Sequence, residues 1–147
     1  MAISFIGDEN GPLKVYRQPE ADMVYTMGID ASTGLAEDYS VIQVVSNSIP
    51  FYQCAVFRAK WPVNQVSAFA DKLGRWYNEA LCVCEINYPG NSVQDALIQY
   101  YQYPRNYQRE DVLDEDPGIS HKYGFRMTET SKWMLIHELQ SFLANKE

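Results

Sequence analysis

The positions of apolar residues along the chain predict a sheet followed by alternating helices and strands. Short runs rich in β-branched and aromatic residues predict strands, because such side chains suit a pleated and half-buried surface. These runs lie at 24–30, 40–45, 51–58, 80–85 and, more weakly, 105–109. The turn at 46–50 is short, so the second and third runs form a hairpin, and the first three strands are predicted to be antiparallel.

Apolar spacings of three and four predict three amphipathic helices between and after these strands. The first helix begins at Pro62, a residue that suits the first helical position. The second begins at Gly90, Asn91 or Ser92, and the third ends the chain. Their predicted inward residues are Val63, Val66, Ala70, Leu73 and Tyr77 for the first, Val93, Ala96, Leu97, Tyr100 and Tyr101 for the second, and Leu135, Ile136, Leu139, Phe142 and Leu143 for the third.

The helix between the third and fourth strands predicts a crossover connection. Such a connection makes the fourth strand parallel to an earlier one, and the first strand is its natural neighbour. The predicted fold class is therefore α/β. With 147 residues, we expect one domain over 21–147, preceded by a lead-in or linker over 1–20, where Gly and Pro are frequent and no periodicity is sustained.

Two carboxylates stand where predicted parallel strands end. Asp30 closes the first strand before a small-residue turn, and Glu85 closes the fourth. Asp30 alone would fit a simple turn residue equally well. If the two strands are neighbours, however, the carboxylates repel each other unless a cation lies between them, and Mg²⁺ is a hard ion that prefers such ligands together with water and phosphate. The pair indicates metal-dependent phosphate chemistry. Asp38 is either a solvated turn residue or an auxiliary group of this site.

Composition limits this interpretation without excluding it. A net charge of −7 is unusual for a stand-alone nucleic-acid-binding protein, which normally has a basic surface. The acids are clustered at 110–116, so basic residues can still line another face: Arg58, Lys60, Arg105, Arg109, Lys122, Arg126 and Lys132.

We expect Cys54, Cys82 and Cys84 to be buried thiols. No signal peptide or membrane-spanning run is apparent, which predicts a soluble, intracellular protein without a membrane partner.

The order of these motifs resembles the ribonuclease H-like fold, and in particular the nuclease domain of the large terminase subunit of tailed bacteriophages. The matching segments are Gly28-Ile29-Asp30-Ala31-Ser32, 37–41, 77–80, 84–87 with Gly90, and 122–128 before Lys132. The resemblance covers about residues 20–145. It implies a mixed five-stranded sheet flanked by helices, with the fourth and fifth strands parallel to the first.

The resemblance also implies a function. Such domains are endonucleases that cut concatemeric double-stranded DNA during genome packaging with two Mg²⁺ or Mn²⁺ ions. Asp30 and Glu85 match the first two metal-binding acids; Asp30 would bridge both ions, and Asp38 would join the catalytic group. Asn87, Arg126 and Lys132 would contact water or DNA, although Arg126 and Lys132 also fit ordinary solvated charges. The implied partners are the terminase ATPase domain, the small terminase subunit and the portal, in the host cell cytoplasm.

The chain departs from the family pattern in two respects. The third acidic residue of the family lies beyond the helix that ends near Asn145, and no Gly-x-x-x-x-Gly-Lys-Ser/Thr motif of an ATPase motor is present. We therefore expect a fragment, an excised domain or a truncated prophage product, in which activity is weak or absent.

Three alternatives remain open at this point. The turn after Asp30 also resembles the phosphate loop of sugar kinases and actin-like ATPases, although a second such loop is missing. Holliday-junction resolvases and transposases share spaced acids on the same fold. A catalytically dead docking module of the packaging machine would keep the fold without the chemistry.

Overall fold

The computed structural model describes residues 3–35, 37–109 and 123–145, which form a five-stranded mixed sheet with helices. The strands are β1 (Leu13–Val15), β2 (Tyr25–Asp30), β3 (Ser40–Ser46), β4 (Gln53–Ala59) and β5 (Leu81–Cys84). The helices are α1 (Val63–Trp76), α2 (Gly90–Asp95), which continues into one π-helical turn (Ala96–Tyr100), and α3 (Glu129–Ala144). The order across the sheet is β1-β4-β3-β2-β5.

The topology confirms the predicted meander and crossover. β2, β3 and β4 are antiparallel neighbours, and β5 lies beside β2 in parallel, with Ile29 opposite Cys84. The connection from β4 to β5 passes through α1, as a parallel neighbour requires. The α/β class and the parallel pairing of the first and fourth predicted strands are thus correct.

One face of the sheet forms the hydrophobic core. Along β2, Tyr25, Met27 and Ile29 are buried, whereas the residues between them are less buried, which is the alternation of a strand with two unlike faces. α1 packs on the buried face through Val66, Ala70 and Leu73, as the spacing predicted. Five further aromatic residues join the ring contacts around this helix: Phe5, Phe57, Trp61, Phe69 and Trp76.

The second helix is only partly as predicted. Val93 and Leu97 are completely buried, but Tyr100, which was predicted to face inward, has 79% of its surface exposed. The helix changes to π-helical geometry at Ala96. A π turn shifts the positions that follow relative to the 3.6-residue period, so an extrapolated helical stripe no longer identifies the inward side chains.

The predicted linker contributes to the sheet. Leu13, Lys14 and Val15 form the edge strand β1, which is antiparallel to β4, and Phe5 packs against Phe69 and Trp76. A run of three residues is too short to show a period of two in the sequence. A domain boundary at residue 20 stays a prediction.

The predicted fifth strand over 105–109 is wrong as a regular strand. Asn106 forms only an isolated parallel bridge with Cys82, and Gln108 forms an antiparallel bridge with Tyr123. The segment leaves β5 after Tyr107, and Phe125 takes the next place beside β5 by donating its N–H to the carbonyl of Cys84 at 2.7 Å. Two separate segments therefore share the edge that one strand was expected to fill.

The last helix is correctly placed in the sequence, but its predicted inward stripe is not buried. Thr128 caps α3 through a reciprocal capping box with Ser131. Leu135, Ile136, Leu139, Phe142 and Leu143 all retain between 36% and 57% exposure. None of the helices in the described parts of the chain is long and apolar enough to cross a membrane.

Candidate metal site at the strand ends

Asp30 and Glu85 lie next to each other at the ends of two parallel strands. Asp30 is the last residue of β2, and Glu85 directly follows β5. The N–H of Glu85 donates to the carbonyl of Ile29 at 2.9 Å, which extends the pairing of Ile29 with Cys84 by one step. Adjacent strands are about 4.8 Å apart, so the two side chains begin within one strand spacing of each other.

Both carboxylates are on the sheet face that α1 does not cover. Ile29 and Cys84 are buried in the core, and side chains alternate along a strand, so the next residues, Asp30 and Glu85, face the opposite side. There they line a cleft of about 450 Å³. The other residues lining this cleft are Gly28, Ile29, Val41, Gln43, Val83, Phe125 and Leu135.

The electrostatics of the pair agree with this proximity. Partial burial raises the pKa of Glu85, and the neighbouring charge of Asp30 raises it further. Partial burial likewise raises the pKa of Asp30, with a second contribution from Asp38. The site therefore disfavours its own negative charge, and a cation placed here would relieve that cost.

Backbone geometry fixes Glu85 in this position. Its neighbour Ile86 donates to the carbonyl of Phe125 at 2.9 Å, so the strand end is held on both sides. Gly90 approaches the carbonyl of Glu85 so closely that a Cβ would collide with it. Gly124 has a φ of +87°, a conformation that favours glycine, and it lets residues 123–125 run beside β5.

Asp38 shares a second cleft with Asp30. This cleft has a volume of about 410 Å³ and is also lined by Ser32, Tyr39 and Tyr88. Among the described carboxylates, Asp30 alone lines both clefts, since Glu85 lines only the first and Asp38 only the second. The structure thus brings the three predicted acids to one end of the sheet, with Asp30 between the other two.

Serine residues hold the loop that carries Asp38. The hydroxyl of Ser32 donates to the carbonyl of Asp38 at 3.0 Å, and the N–H of Ser32 donates to the buried hydroxyl of Ser40 at 2.9 Å. These bonds tie the ends of β2 and β3 together. Neither serine was predicted to take part, because their roles depend on tertiary hydrogen bonds that the sequence pattern does not reveal.

Asn87 lies close by, and its amide forms two hydrogen bonds with the backbone of Met127. Its Nδ2 donates to the carbonyl of Met127, and its Oδ1 accepts from the N–H of Met127, both at 2.9 Å. The side chain therefore fastens the turn after Glu85 to the segment before α3. This geometry supports positioning of the site rather than direct contact with a substrate.

The predicted basic residues are distributed unevenly. Arg126 and Lys132 are exposed and line neither cleft. Arg58 and Lys60, by contrast, both approach Tyr39 of the second cleft, with cation-to-centroid distances of 3.5 and 5.0 Å. Lys122 and the acidic run 110–116 lie outside the described residues.

Tyr39 and Tyr88 are functional candidates that sequence reasoning missed. Both line the second cleft, and Tyr88 is 79% exposed beside the carboxylates. Tyr88 follows Glu85 by three residues within the turn that connects β5 to α2. An exposed aromatic in a turn just after a candidate ligand is a signal that could have identified it.

The donor set fits a hard divalent ion with an incomplete protein shell. Carboxylate oxygens suit Mg²⁺ or Mn²⁺, which commonly use one or two carboxylates and complete their coordination with water and phosphate. Within residues 3–35, 37–109 and 123–145, no three His, Cys, Asp or Glu side chains converge closely enough to form a metal-binding group. The geometry offers two adjacent carboxylates in an open cleft.

Comparisons with solved structures confirm the fold. The chain is similar to the large terminase nuclease from thermophilic phage G20c with bound magnesium, at 16% identity and a TM-score of 0.65, covering 90% of this chain and 60% of that one. It is also similar to the cobalt-bound form, at 18% identity and a TM-score of 0.63, covering 90% and 60%. The nuclease domain of the Thermus phage P74-26 large terminase matches at 16% identity and a TM-score of 0.54, covering 71% and 52%.

No family model and no curated protein matches the chain. The solved nuclease from phage G20c with bound zinc is also similar, and this chain spans 59% of its length. The resemblance to terminase nucleases is therefore established at the level of the fold.

Proposed function

We propose that this chain is part of a metal-dependent nuclease of a phage DNA-packaging terminase, which cuts concatemeric double-stranded DNA by hydrolysing phosphodiester bonds. One observation carries the proposal: Asp30 and Glu85 are adjacent on the open face of a terminase-like sheet, and each has a raised pKa. Paired carboxylates of this kind are suited to binding divalent cations next to phosphate.

In this proposal the three acids divide the binding of two Mg²⁺ or Mn²⁺ ions. Asp30 would contribute its carboxylate to both ions, a role supported by its position between the two clefts. Glu85 would hold one ion, and Asp38 would orient water or the second ion. Divalent ions bound there supply Lewis-acid stabilisation of phosphate charge and make water a better nucleophile. Asn87 positions the turn after Glu85, and Arg126 and Lys132 hold the DNA backbone farther from the acids.

The biological setting follows from the same proposal. The substrate is the viral genome in the host cytoplasm, and the partners are the terminase ATPase domain, the small subunit and the portal. The similarity to solved terminase nucleases and the shared fold support this setting.

Nicking of supercoiled plasmid in the presence of Mn²⁺ tests the proposal. Asp30→Ala is expected to lower the nicking rate by about 100-fold or more, because metal-dependent charge stabilisation is worth several kcal/mol and each 1.36 kcal/mol is tenfold. The matched control is Glu20→Gln, which removes an exposed carboxylate before β2, at the other end of the strand from Asp30. Circular dichroism on both variants checks that the fold is retained.

A docking module is the second candidate, because no group of three His, Cys, Asp or Glu side chains close enough to hold one metal ion is found among the described residues. It predicts an intact plasmid with every divalent ion. Calorimetric titration with Mn²⁺ separates the two candidates further, since the nuclease proposal requires binding that Glu85→Gln weakens. Nicking by the wild type that Asp30→Ala leaves unchanged would refute the proposed site, and ATP-dependent phosphorylation of a small molecule would favour a kinase.

A further inference from the structure

A further groove, separate from the two carboxylate clefts, lies along the edge strand β1, on the side of the sheet that α1 covers. It has a volume of about 620 Å³, and none of the described residues lines both this groove and a carboxylate cleft. We call it the edge groove. It is formed by the segment 5–9, by Leu13 and Val15 of β1, and by a group of aromatic side chains.

The aromatic wall of the edge groove is preassembled. Phe5 contacts Trp76 edge-on with ring centroids 4.9 Å apart, and Trp61 contacts Phe69 edge-on at 5.7 Å. All four rings are only partly buried. Such rings offer a large apolar surface for aliphatic side chains, and their faces also attract cations.

The strand beside this wall has an open edge. In the described sheet β1 pairs only with β4, so the backbone groups on its other side have no strand partner. Leu13 and Val15 line the groove whereas Lys14, between them, does not. An extended peptide added to this edge would send alternate side chains towards the same face.

The charge of the groove selects the kind of peptide. Among the residues that the structure describes, Asp8 and Glu9 line it and no Lys or Arg does. Both acids are exposed, and neither forms an ion pair with another residue in the described part of the chain. The carboxylate of Asp8 accepts a hydrogen bond from the N–H of Asn10 at 3.0 Å, and its backbone carbonyl accepts one from the N–H of Gly11 at 3.0 Å. A ligand with basic side chains would provide the missing opposite charge.

We propose that the edge groove binds an extended segment of a partner protein that carries apolar side chains together with Lys or Arg. The aromatic wall contacts the apolar side chains, the edge of β1 pairs with the backbone, and Asp8 and Glu9 attract the basic side chains. This binding is independent of the carboxylate site and of any nuclease activity.

Tryptophan fluorescence tests the proposal directly. The chain has three tryptophans, of which Trp61 and Trp76 line the edge groove and Trp133 lies on α3. In a Trp133→Phe background the signal therefore reports the groove alone. The probes are a capped pentapeptide of alternating leucine and lysine and its twin of alternating leucine and glutamate, at low and at physiological salt.

The leucine–lysine peptide is expected to give a saturable change, with an affinity at least tenfold higher than that of the acidic twin. The double variant Asp8→Asn/Glu9→Gln should weaken binding several-fold and reduce its salt dependence, since exposed charge pairs are individually weak and screened. Val15→Arg should abolish binding, because it places a competing cation in the groove at a position that is already 39% exposed. Glu20→Gln is the control and should bind as the parent does.

Three results would overturn the proposal. The first is the absence of a saturable signal at millimolar peptide, and the second is equal binding of the two peptides. The third is a concentration-dependent dimer in sedimentation that Val15→Arg disperses, which would assign the groove to a second copy of this chain.

Discussion

The helices α1 and α3 have similar lengths, 14 and 16 residues, but they cover the two faces of the sheet very differently. α1 buries five of its residues, among them Val66, Ala70 and Leu73, whereas no residue of α3 is fully buried. The sheet face under α1 is therefore the buried hydrophobic core. The face near α3 stays open, and Asp30 and Glu85 lie there.

The sequences of the two helices explain part of this difference. In α1 the apolar residues recur on one side, which matches a helix lying on a core. In α3 the consecutive residues Trp133, Met134, Leu135 and Ile136 spread apolar surface around most of the helix. Only part of that surface can face the sheet, and one ring contact of α3 is that of Phe142 with Phe51, which precedes β4, at 4.7 Å. Apolar content thus does not by itself show how much a helix contributes to stability.

The largest effect on stability is expected from Leu73→Ala on α1. Leu73 is completely buried, so truncation removes its transfer free energy and leaves a cavity, at a cost of about 2–5 kcal/mol in the free energy of unfolding. Urea denaturation followed by circular dichroism measures this loss. A cost below about 1 kcal/mol would mean that the core under α1 is loosely packed, and the contrast between the two faces would disappear.

The same contrast explains how much the sequence could predict. The covered face was predictable, because burial there imposes a period of two on β2 and of 3.6 on α1. The convergence of Asp30 and Glu85 was predictable too, since a crossover makes their strands parallel neighbours.

What escaped prediction depends on tertiary contacts. β1 is too short for a period, Tyr107 and Phe125 divide one strand edge between them, and Tyr39 joins the cleft through a loop. The stripe on α3 was correctly located but wrongly expected to be buried, because a pattern of apolar residues does not reveal whether a neighbour is present to cover it.

A smaller effect is expected from the carboxylates of the open face. Their pKa values are raised in the folded state, so the folded protein binds protons more tightly than the unfolded chain, and these groups lower stability as pH rises through and above the usual range of 3.8 to 4.5. Asp30→Asn/Glu85→Gln should therefore gain stability relative to the parent between pH 3 and pH 7, with EDTA present. The gain should be modest, because Asp30 is largely exposed and solvent screens it.

Parallel urea titrations of the parent and the double variant at several pH values measure this difference. Mn²⁺ should reverse its sign at pH 7, because an ion that binds only the folded parent stabilises it. If the double variant instead became less stable than the metal-free parent as pH rises, the two carboxylates would not destabilise the folded protein. The open face would then have the electrostatics of a surface without a metal site.

The smallest effect is expected from Leu139→Ala on α3, which makes the same chemical change as Leu73→Ala. Leu139 is 56% exposed, so truncation removes little buried surface and leaves no closed cavity, and the free energy of unfolding should change by no more than about 0.5 kcal/mol. Leu143→Ala, at 57% exposure, is the matched replicate on the same helix. If both variants instead lost as much stability as Leu73→Ala, α3 would have to pack firmly on the sheet in solution. Such packing would cover the face that carries Asp30 and Glu85, and a ligand could reach the two carboxylates only after the helix moved away.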